Sequence, residues 1–175
     1  DFHGLTPPKL DDASWNFGNP GSSGHPEFCS RPCLHVFREG GCSRGVMCGH
    51  CHLHHSHRTK LDQLQRAYLN HLKDEERLAV FVPLIRRRAS QMGLLPVVEK
   101  IVEMLETEAA PHNKTVPPNI PRCLQNVVQR MPLNQLIFWS MRKLPERVQV
   151  ALQSTKSSMR SPQLLVGHRG PSILL

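Results

Sequence analysis

The chain has 175 residues, of which 39% are apolar and 15 are prolines, and its formal net charge at pH 7 is +8. This length suits one ordinary domain, or a small module joined to a helical one, and the surplus of positive charge favours polyanionic partners. No apolar run approaches the roughly 18 residues that a membrane helix requires, and the segment "DFHGLTPPKLDDASW" lacks the positively charged region and the apolar region of a secretory signal. We therefore expect no membrane partner and a location in the nucleus or the cytoplasm.

Residues 1–28 are rich in Pro, Gly, Ser, Asp and Asn and follow no sustained hydrophobic period. This composition predicts a flexible lead-in. It carries one Lys against four acids, a net charge of −3, whereas residues 29–60 carry five Lys or Arg against Glu39 alone, a net charge of +4. Positive charge thus begins where a cluster of cysteines and histidines begins.

Four of the six cysteines and six of the eleven histidines lie between Cys33 and His57. One set of four has eight, five and three residues between its members: Cys33, Cys42, Cys48 and His52. Three thiolates and one imidazole make a closed tetrahedral set for zinc, which is typical of a structural site. A module of about thirty residues with few apolar groups cannot offset its own ordering entropy. The spacing therefore predicts one structural Zn²⁺ that holds residues 29–58 together, with glycine turns around the ion.

Other interpretations of the cluster stay open. Cys48 and Cys51 form a CxxC pair of the kind found in redox proteins, but no strand–helix–strand pattern surrounds it. Disulfides are disfavoured because nothing in the sequence indicates secretion. Cys51 is an alternative to His52 as fourth ligand, and Cys29 is interpreted as a free thiol beside the site. The spare histidines are interpreted as a solvated turn, with a second metal site as the rarer alternative.

The segment "RPCLHVFREGGCSRGVMCGHCHL" also has a glycine two residues before its second metal-site cysteine and another three residues after it. It resembles the CCCH-type zinc finger, and within that family the protist or alveolate form that ends in C-x-x-CHL. The resemblance covers about residues 29–58 and implies binding of single-stranded RNA, with bases stacked on aromatic or Arg side chains. The RNA contacts that it implies here are Arg31, Phe37, Arg38, Arg44, His50, Arg58 and Lys60. Arg44 and His50 occupy two positions that are often aromatic in RNA-binding members, so modest affinity is expected.

From residue 60 to about residue 156 apolar residues recur at helical spacing, which predicts an all-α bundle of about five helices, followed by a tail over residues 157–175. Apolar faces are predicted at Leu61, Leu64, Tyr68 and Leu72, at Val97, Val98, Ile101, Val102 and Leu105, at Leu124, Val127, Val128 and Met131, and at Leu133, Leu136, Ile137, Met141 and Leu144. Pro83 is expected to bend or interrupt the second helix. The run of arginines at 86–88, beside Arg77, predicts either a phosphate clamp or a solvated helix face.

No nucleophile–base set, phosphate-binding loop or carboxylate pair occurs in residues 60–160, so we do not expect an enzyme. The sequence favours a zinc-dependent RNA-binding protein of post-transcriptional regulation. The alternative is an adaptor, or a subunit of a larger assembly, in which zinc only shapes the finger and the helical domain docks onto a protein.

Overall fold

A computed structural model of the chain describes residues 19–55, 60–112 and 116–159. Over these ranges the chain forms α1 (Gln63–His71), α2 (Asp74–Gln91), α3 (Leu95–Ala109), α4 (Arg122–Val128), α5 (Leu133–Trp139) and α6 (Glu146–Ser158), with short 3-10 turns at Pro20–Ser22, Gly45–Met47 and Ala110–His112. The described residues contain no β-strand, and Pro32 and Cys51 form one isolated parallel bridge. The predicted fold class, an irregular module followed by a helical bundle, is confirmed, with six helices rather than about five.

The helical domain is organised around α2, which packs against α3 and α5, while α3 also packs against α6. Its core consists of fully buried side chains from these helices and from α4, among them Phe81, Ile85, Ile101, Leu105, Leu124, Leu133, Leu136 and Ile137. Most of the predicted apolar stripes face this core. Two of their members do not: Leu64 is 81% exposed and Val97 is 45% exposed. Within α1 the buried residue is Leu69, and Leu61 and Leu72, which flank the helix, are buried as predicted.

The helix ends follow local chemistry. The Asp62 carboxylate accepts a hydrogen bond from the backbone N–H of Gln65, and the Gln65 side chain accepts one from the Asp62 backbone, so that α1 begins with a capping box. Pro132 and Pro145 precede α5 and α6 as their N-cap residues. Both prolines therefore mark the beginning of a helix.

Pro83 lies inside α2 and does not interrupt it. A proline in a helix interior removes one backbone hydrogen bond and costs about 3 kcal/mol. Its own side chain is exposed, whereas Phe81 and Ile85 on either side of it are fully buried. Burial of the apolar face of α2 offsets this cost and keeps the helix continuous.

Residues 19–28 pack against the rest of the chain, although the sequence places them in the flexible lead-in. Phe28 is 2% exposed and belongs to the same core cluster as the helices, and Glu27 is 1% exposed. Residues 1–18, the remainder of the predicted lead-in, and the tail beyond Met159 lie outside the described residues. Among the helices that the structure describes, none combines the length and hydropathy needed to cross a membrane.

Candidate metal centre

The four residues singled out by their spacing come together in the folded chain. The ligand atoms of Cys33, Cys42, Cys48 and His52 all lie within 4.8 Å of one another, and three of the four side chains are buried. Tetrahedral zinc with bonds of 2.0–2.3 Å separates its ligand atoms by roughly 3.3–3.8 Å. We call this set the first group. Its dimensions are those of a site able to hold one metal ion.

Glycine conformation allows the chain to wrap around the first group. Gly40, Gly41 and Gly45 have φ values of +83°, +65° and +47°, in the left-handed region that side chains with a Cβ rarely adopt. The 3-10 turn Gly45–Met47 then brings Cys48 back toward Cys42. The glycine turns predicted from the sequence are therefore present.

Two observations fit a cation in the first group. The Nε2 atom of His52 is buried and has no hydrogen-bond partner among the described residues, which is a costly arrangement unless the atom binds something. A hydrogen bond from the backbone N–H of His35 lowers the pKa of Cys33, which favours the thiolate that binds metal. The first group thus offers an unpartnered imidazole nitrogen and a stabilised thiolate.

Residues before the cluster brace it from outside. The Asn19 side-chain amide donates to the carbonyl oxygens of Cys48 and His50 at 2.7 and 2.5 Å, and the Ser22 hydroxyl accepts from the backbone N–H of His52 at 3.0 Å. Gly21 lies so close to the backbone that an added Cβ would stand 2.2 Å from the carbonyl carbon of His50. Asn19, Gly21 and Ser22 therefore support the first group from the segment that precedes the finger.

A second set of possible ligands lies beside the first. The ligand atoms of His25, Cys29, Cys51 and His55 also lie within 4.8 Å of one another. Within this second group Cys29 Sγ is 3.8 Å from His55 Nε2, and Cys51 Sγ is 3.5 Å from His25 Nδ1. Cys51 is fully buried. Cys51 belongs to the second group and His52 to the first, so the two do not compete for one position.

The two thiols of the second group influence each other strongly. A hydrogen bond with Cys29 lowers the pKa of Cys51 to about 4, and the same hydrogen bond, followed by burial, raises the pKa of Cys29. This hydrogen bond favours the thiolate at Cys51 and the thiol at Cys29. A divalent metal bound by both would displace the remaining proton.

The sequence analysis favoured a single ion and kept a second metal site as the rarer alternative, without identifying the ligands of this second group. Cys29 was interpreted as a free thiol and Cys51 as a substitute ligand, but both belong to this second group. A signal was present: His25 precedes Cys29 by four residues, and Cys51 precedes His55 by four residues. This mirrored pair was hidden because His25 lies in a stretch of Pro, Gly and Ser.

Most of the predicted RNA contacts are exposed on the finger. Phe37 is 70% exposed, and its ring meets that of His54 edge-on with centroids 6.4 Å apart. The exposed polar members of the set are Arg31, Arg38, Arg44, His50 and Lys60. Arg58 lies outside the described residues. Leu34, Val46 and Met47 are also more than half exposed, and the sequence analysis did not single them out.

Three of the four arginines in the expected phosphate clamp have partners within the protein. Arg77 is 2% exposed and donates to the Leu72 carbonyl and to Asn70. Arg86 pairs with Glu106 and Arg88 with Glu27. Arg87 is exposed, so the arginines of this part of α2 do not form one free cationic set.

Known proteins offer no guide to these groups. Comparison of the chain with protein-family models, with curated proteins and with solved structures finds no match.

Proposed function

We propose that the chain is a zinc-dependent RNA-binding protein that contacts single-stranded RNA in post-transcriptional regulation. The observation that carries the proposal is the composition of the finger surface. Leu34, Phe37, Val46 and Met47 are 55%, 70%, 66% and 78% exposed. Several large apolar side chains exposed on one small module are typical of an interaction surface.

Charge on the same module favours a nucleic acid as the partner. Arg31, Arg38 and Arg44 of the same module are also exposed, while Glu39 is the only acid between residues 29 and 60. Stacking of a base on an aromatic or guanidinium side chain is worth about 1–3 kcal/mol, and basic groups follow the phosphates. Phe37 and His50 supply rings, and the arginines supply both planar stacking groups and charge.

Zinc is the ion that the donor set of the first group fits best. Soft thiolates with one imidazole in a closed set of four favour zinc over the hard cations, which prefer oxygen ligands. Cys33, Cys42, Cys48 and His52 would bind the ion and leave no position for water. In the proposal the ion shapes the loops and takes no part in a reaction.

The test is a fluorescence-anisotropy titration of the zinc-loaded chain with a pool of short single-stranded RNAs at two salt concentrations. We expect log K to fall with log[salt] by about 0.7 for each phosphate neutralised. Phe37→Ala and Arg44→Glu should each weaken binding roughly 5- to 100-fold, in line with the loss of one stacking or phosphate contact.

Matched controls lie on the helical domain. Leu64→Ala removes another exposed apolar side chain, and Arg130→Glu makes the same charge change at another exposed arginine. Neither should alter RNA affinity. Absence of binding by the fully metallated chain, or equal losses from finger variants and controls, would overturn the proposal.

One surface of the helical domain favours the adaptor alternative. Phe138 is 62% exposed and lies with Trp139 and Arg142 in a cleft at the surface. Trp139 packs against the core and meets the Phe138 ring edge-on. If the chain is an adaptor, Phe138→Ala should abolish capture of its protein partner while Phe37→Ala has no effect.

A further inference from the structure

We propose that the second group, His25, Cys29, Cys51 and His55, binds its own zinc ion, and that this ion fastens the finger to the helical domain. The inference is independent of RNA binding. It makes the finger a two-zinc module in which the first ion shapes the loops and the second ion sets how the finger is attached.

The geometry of the second group matches a tetrahedral site. The Cys29 Sγ to His55 Nε2 distance of 3.8 Å and the Cys51 Sγ to His25 Nδ1 distance of 3.5 Å are close to the roughly 3.3–3.8 Å that zinc imposes between its ligand atoms. Two thiolates and two imidazoles complete a closed set of four. The rings of His25 and His55 also contact each other edge-on, with centroids 4.7 Å apart.

The ligands of the second group come from two segments with different attachments. Cys51 and His55 belong to the end of the finger, where the backbone N–H of Cys51 donates to Arg31 and its carbonyl accepts from Cys33. His25 and Cys29 instead flank two residues, Glu27 and Phe28, that are buried against the helices. An ion held by all four ligands therefore crosslinks the two segments.

Glu27 attaches its segment to two helices. One oxygen of its carboxylate accepts from Arg88 of α2 at 3.1 and 2.5 Å, and the other accepts from the backbone N–H of Leu133, the first residue of α5, at 2.9 Å. Its backbone carbonyl accepts from the N–H of Asn134 at 3.0 Å. Glu27 thus satisfies two of the free N–H groups at the start of α5.

Apolar contacts complete the attachment. Phe28 is part of the helical core, and Gly24 approaches the end of α6 so closely that an added Cβ would stand 2.8 Å from the Met159 sulfur. Residues 24–29 are therefore held by the helical domain on one side and by the second group on the other. Loss of the second ion should loosen this segment and, with it, the beginning of α5.

The first measurement is the metal content of the full-length chain after purification with zinc and exhaustive dialysis. We expect two zinc ions per chain, one for each group. Cys29→Ser/Cys51→Ser and the milder His55→Ala should each retain one ion, whereas Cys123→Ser, which changes an exposed cysteine outside both groups, should retain two. One ion in the unaltered chain, or two ions in both second-group variants, would overturn the proposal.

Cobalt substitution identifies which group is filled. Thiolate-to-cobalt charge-transfer absorption grows with the number of bound thiolates, and the two groups together hold five. Cys29→Ser/Cys51→Ser should lower this absorption to the level of three thiolates, and Cys123→Ser should leave it unchanged. Full absorption in the double variant would show that Cys29 and Cys51 are not ligands.

Hydrogen–deuterium exchange tests the attachment itself. In His55→Ala the amides of Leu133 and Asn134 should exchange at least about tenfold faster, because Glu27 no longer holds them as firmly. The amides of Ile101 and Val102 in the middle of α3 should be unaffected and serve as the internal control. Loss of one ion with unchanged protection at Leu133 and Asn134 would refute the role in attachment.

Discussion

The finger and the helical domain are each stabilised by a different kind of interaction. The helical domain buries a continuous apolar cluster drawn from all six helices, with side chains such as Phe81 and Leu105 fully removed from solvent. In residues 30–55 the buried side chains are instead Cys33, Cys48, Cys51 and His52, while four large apolar ones are exposed: Leu34, Phe37, Val46 and Met47. A side chain on the finger surface is therefore free to serve recognition, because the fold does not depend on burying it.

Because the stabilising interactions differ, different treatments should unfold the two regions. Cavities in an apolar core lower the stability of the domain that buries it. Chelators and substitution of single ligands lower the stability of a module held by thiolates and imidazoles around a metal. Each variant below is chosen to damage one region and leave the other intact.

Removal of metal should have the largest effect. Structural zinc contributes about 10–16 kcal/mol in small zinc-finger peptides, so EDTA or Cys48→Ser should unfold the finger. The far-UV circular dichroism of the helices should largely persist, and hydrogen exchange should show loss of protection at Cys33 and Cys51 but not in α3. Cys123→Ser is the control. Loss of the helical signal at the same chelator concentration would contradict the separation of the two regions.

A cavity in the helical core should have the next largest effect. Leu105 is fully buried, and Leu105→Ala should lower the free energy of unfolding of the helical domain by about 2–5 kcal/mol in urea titrations. Leu64→Ala, at an 81% exposed position, should change it by less than about 0.5 kcal/mol. Zinc content should be the same in both variants. A reduced zinc content in Leu105→Ala would show that the finger needs the intact core.

Gly21→Ala targets the bracing of the finger without altering a ligand. The added Cβ would stand 2.2 Å from the backbone of His50. Overpacking of this kind costs about 1–3 kcal/mol, so zinc affinity should fall roughly 5- to 150-fold, as measured by competition with a chelator. Gly49→Ala is the matched control, because its added Cβ would meet nothing within 4 Å. Equal zinc affinities in the two variants would show that Gly21 does not support the metal site.

Loss of one helix cap should have the smallest effect. Asp62→Ala removes the acceptor for the Gln65 N–H in the capping box of α1 and should cost about 0.5–2 kcal/mol of helical-domain stability, measured by thermal unfolding. The neighbouring Gln63→Ala keeps the cap and should be close to neutral. Zinc affinity should not change in either variant.

The helical domain was predictable because its signals are local and periodic. Residues such as Ile101, Val102 and Leu105 recur at helical spacing, and each buries its side chain where the pattern places it. The pattern was less informative where tertiary packing outweighs local preference. Pro83 stays inside α2 because the helix is buried around it, and Leu64 satisfies the periodicity of α1 while facing solvent.

The first group was predictable from spacing along one segment, whereas the second group was not. Its ligands Cys29 and Cys51 lie on either side of the three cysteines of the first group in the sequence. The two therefore come close together only once the chain has wrapped around the first group. The packing of residues 19–28 was hidden for a related reason. Asn19, Ser22 and Glu27 form hydrogen bonds with partners far away in the sequence. Polar residues in a glycine-rich stretch show no periodic pattern from which such contacts are predicted.

The adjacency of Cys51 and His52 constrains how this sequence is able to vary. One peptide bond joins a residue of the second group to a residue of the first, so an insertion at this point would displace one ligand from its set. The exposed loop of residues 34–40 has no such restriction, because longer loops cost little additional closure entropy. Among descendants of the same ancestral gene, we expect the number of residues between the first two metal-site cysteines to differ and the Cys–His dipeptide to remain uninterrupted.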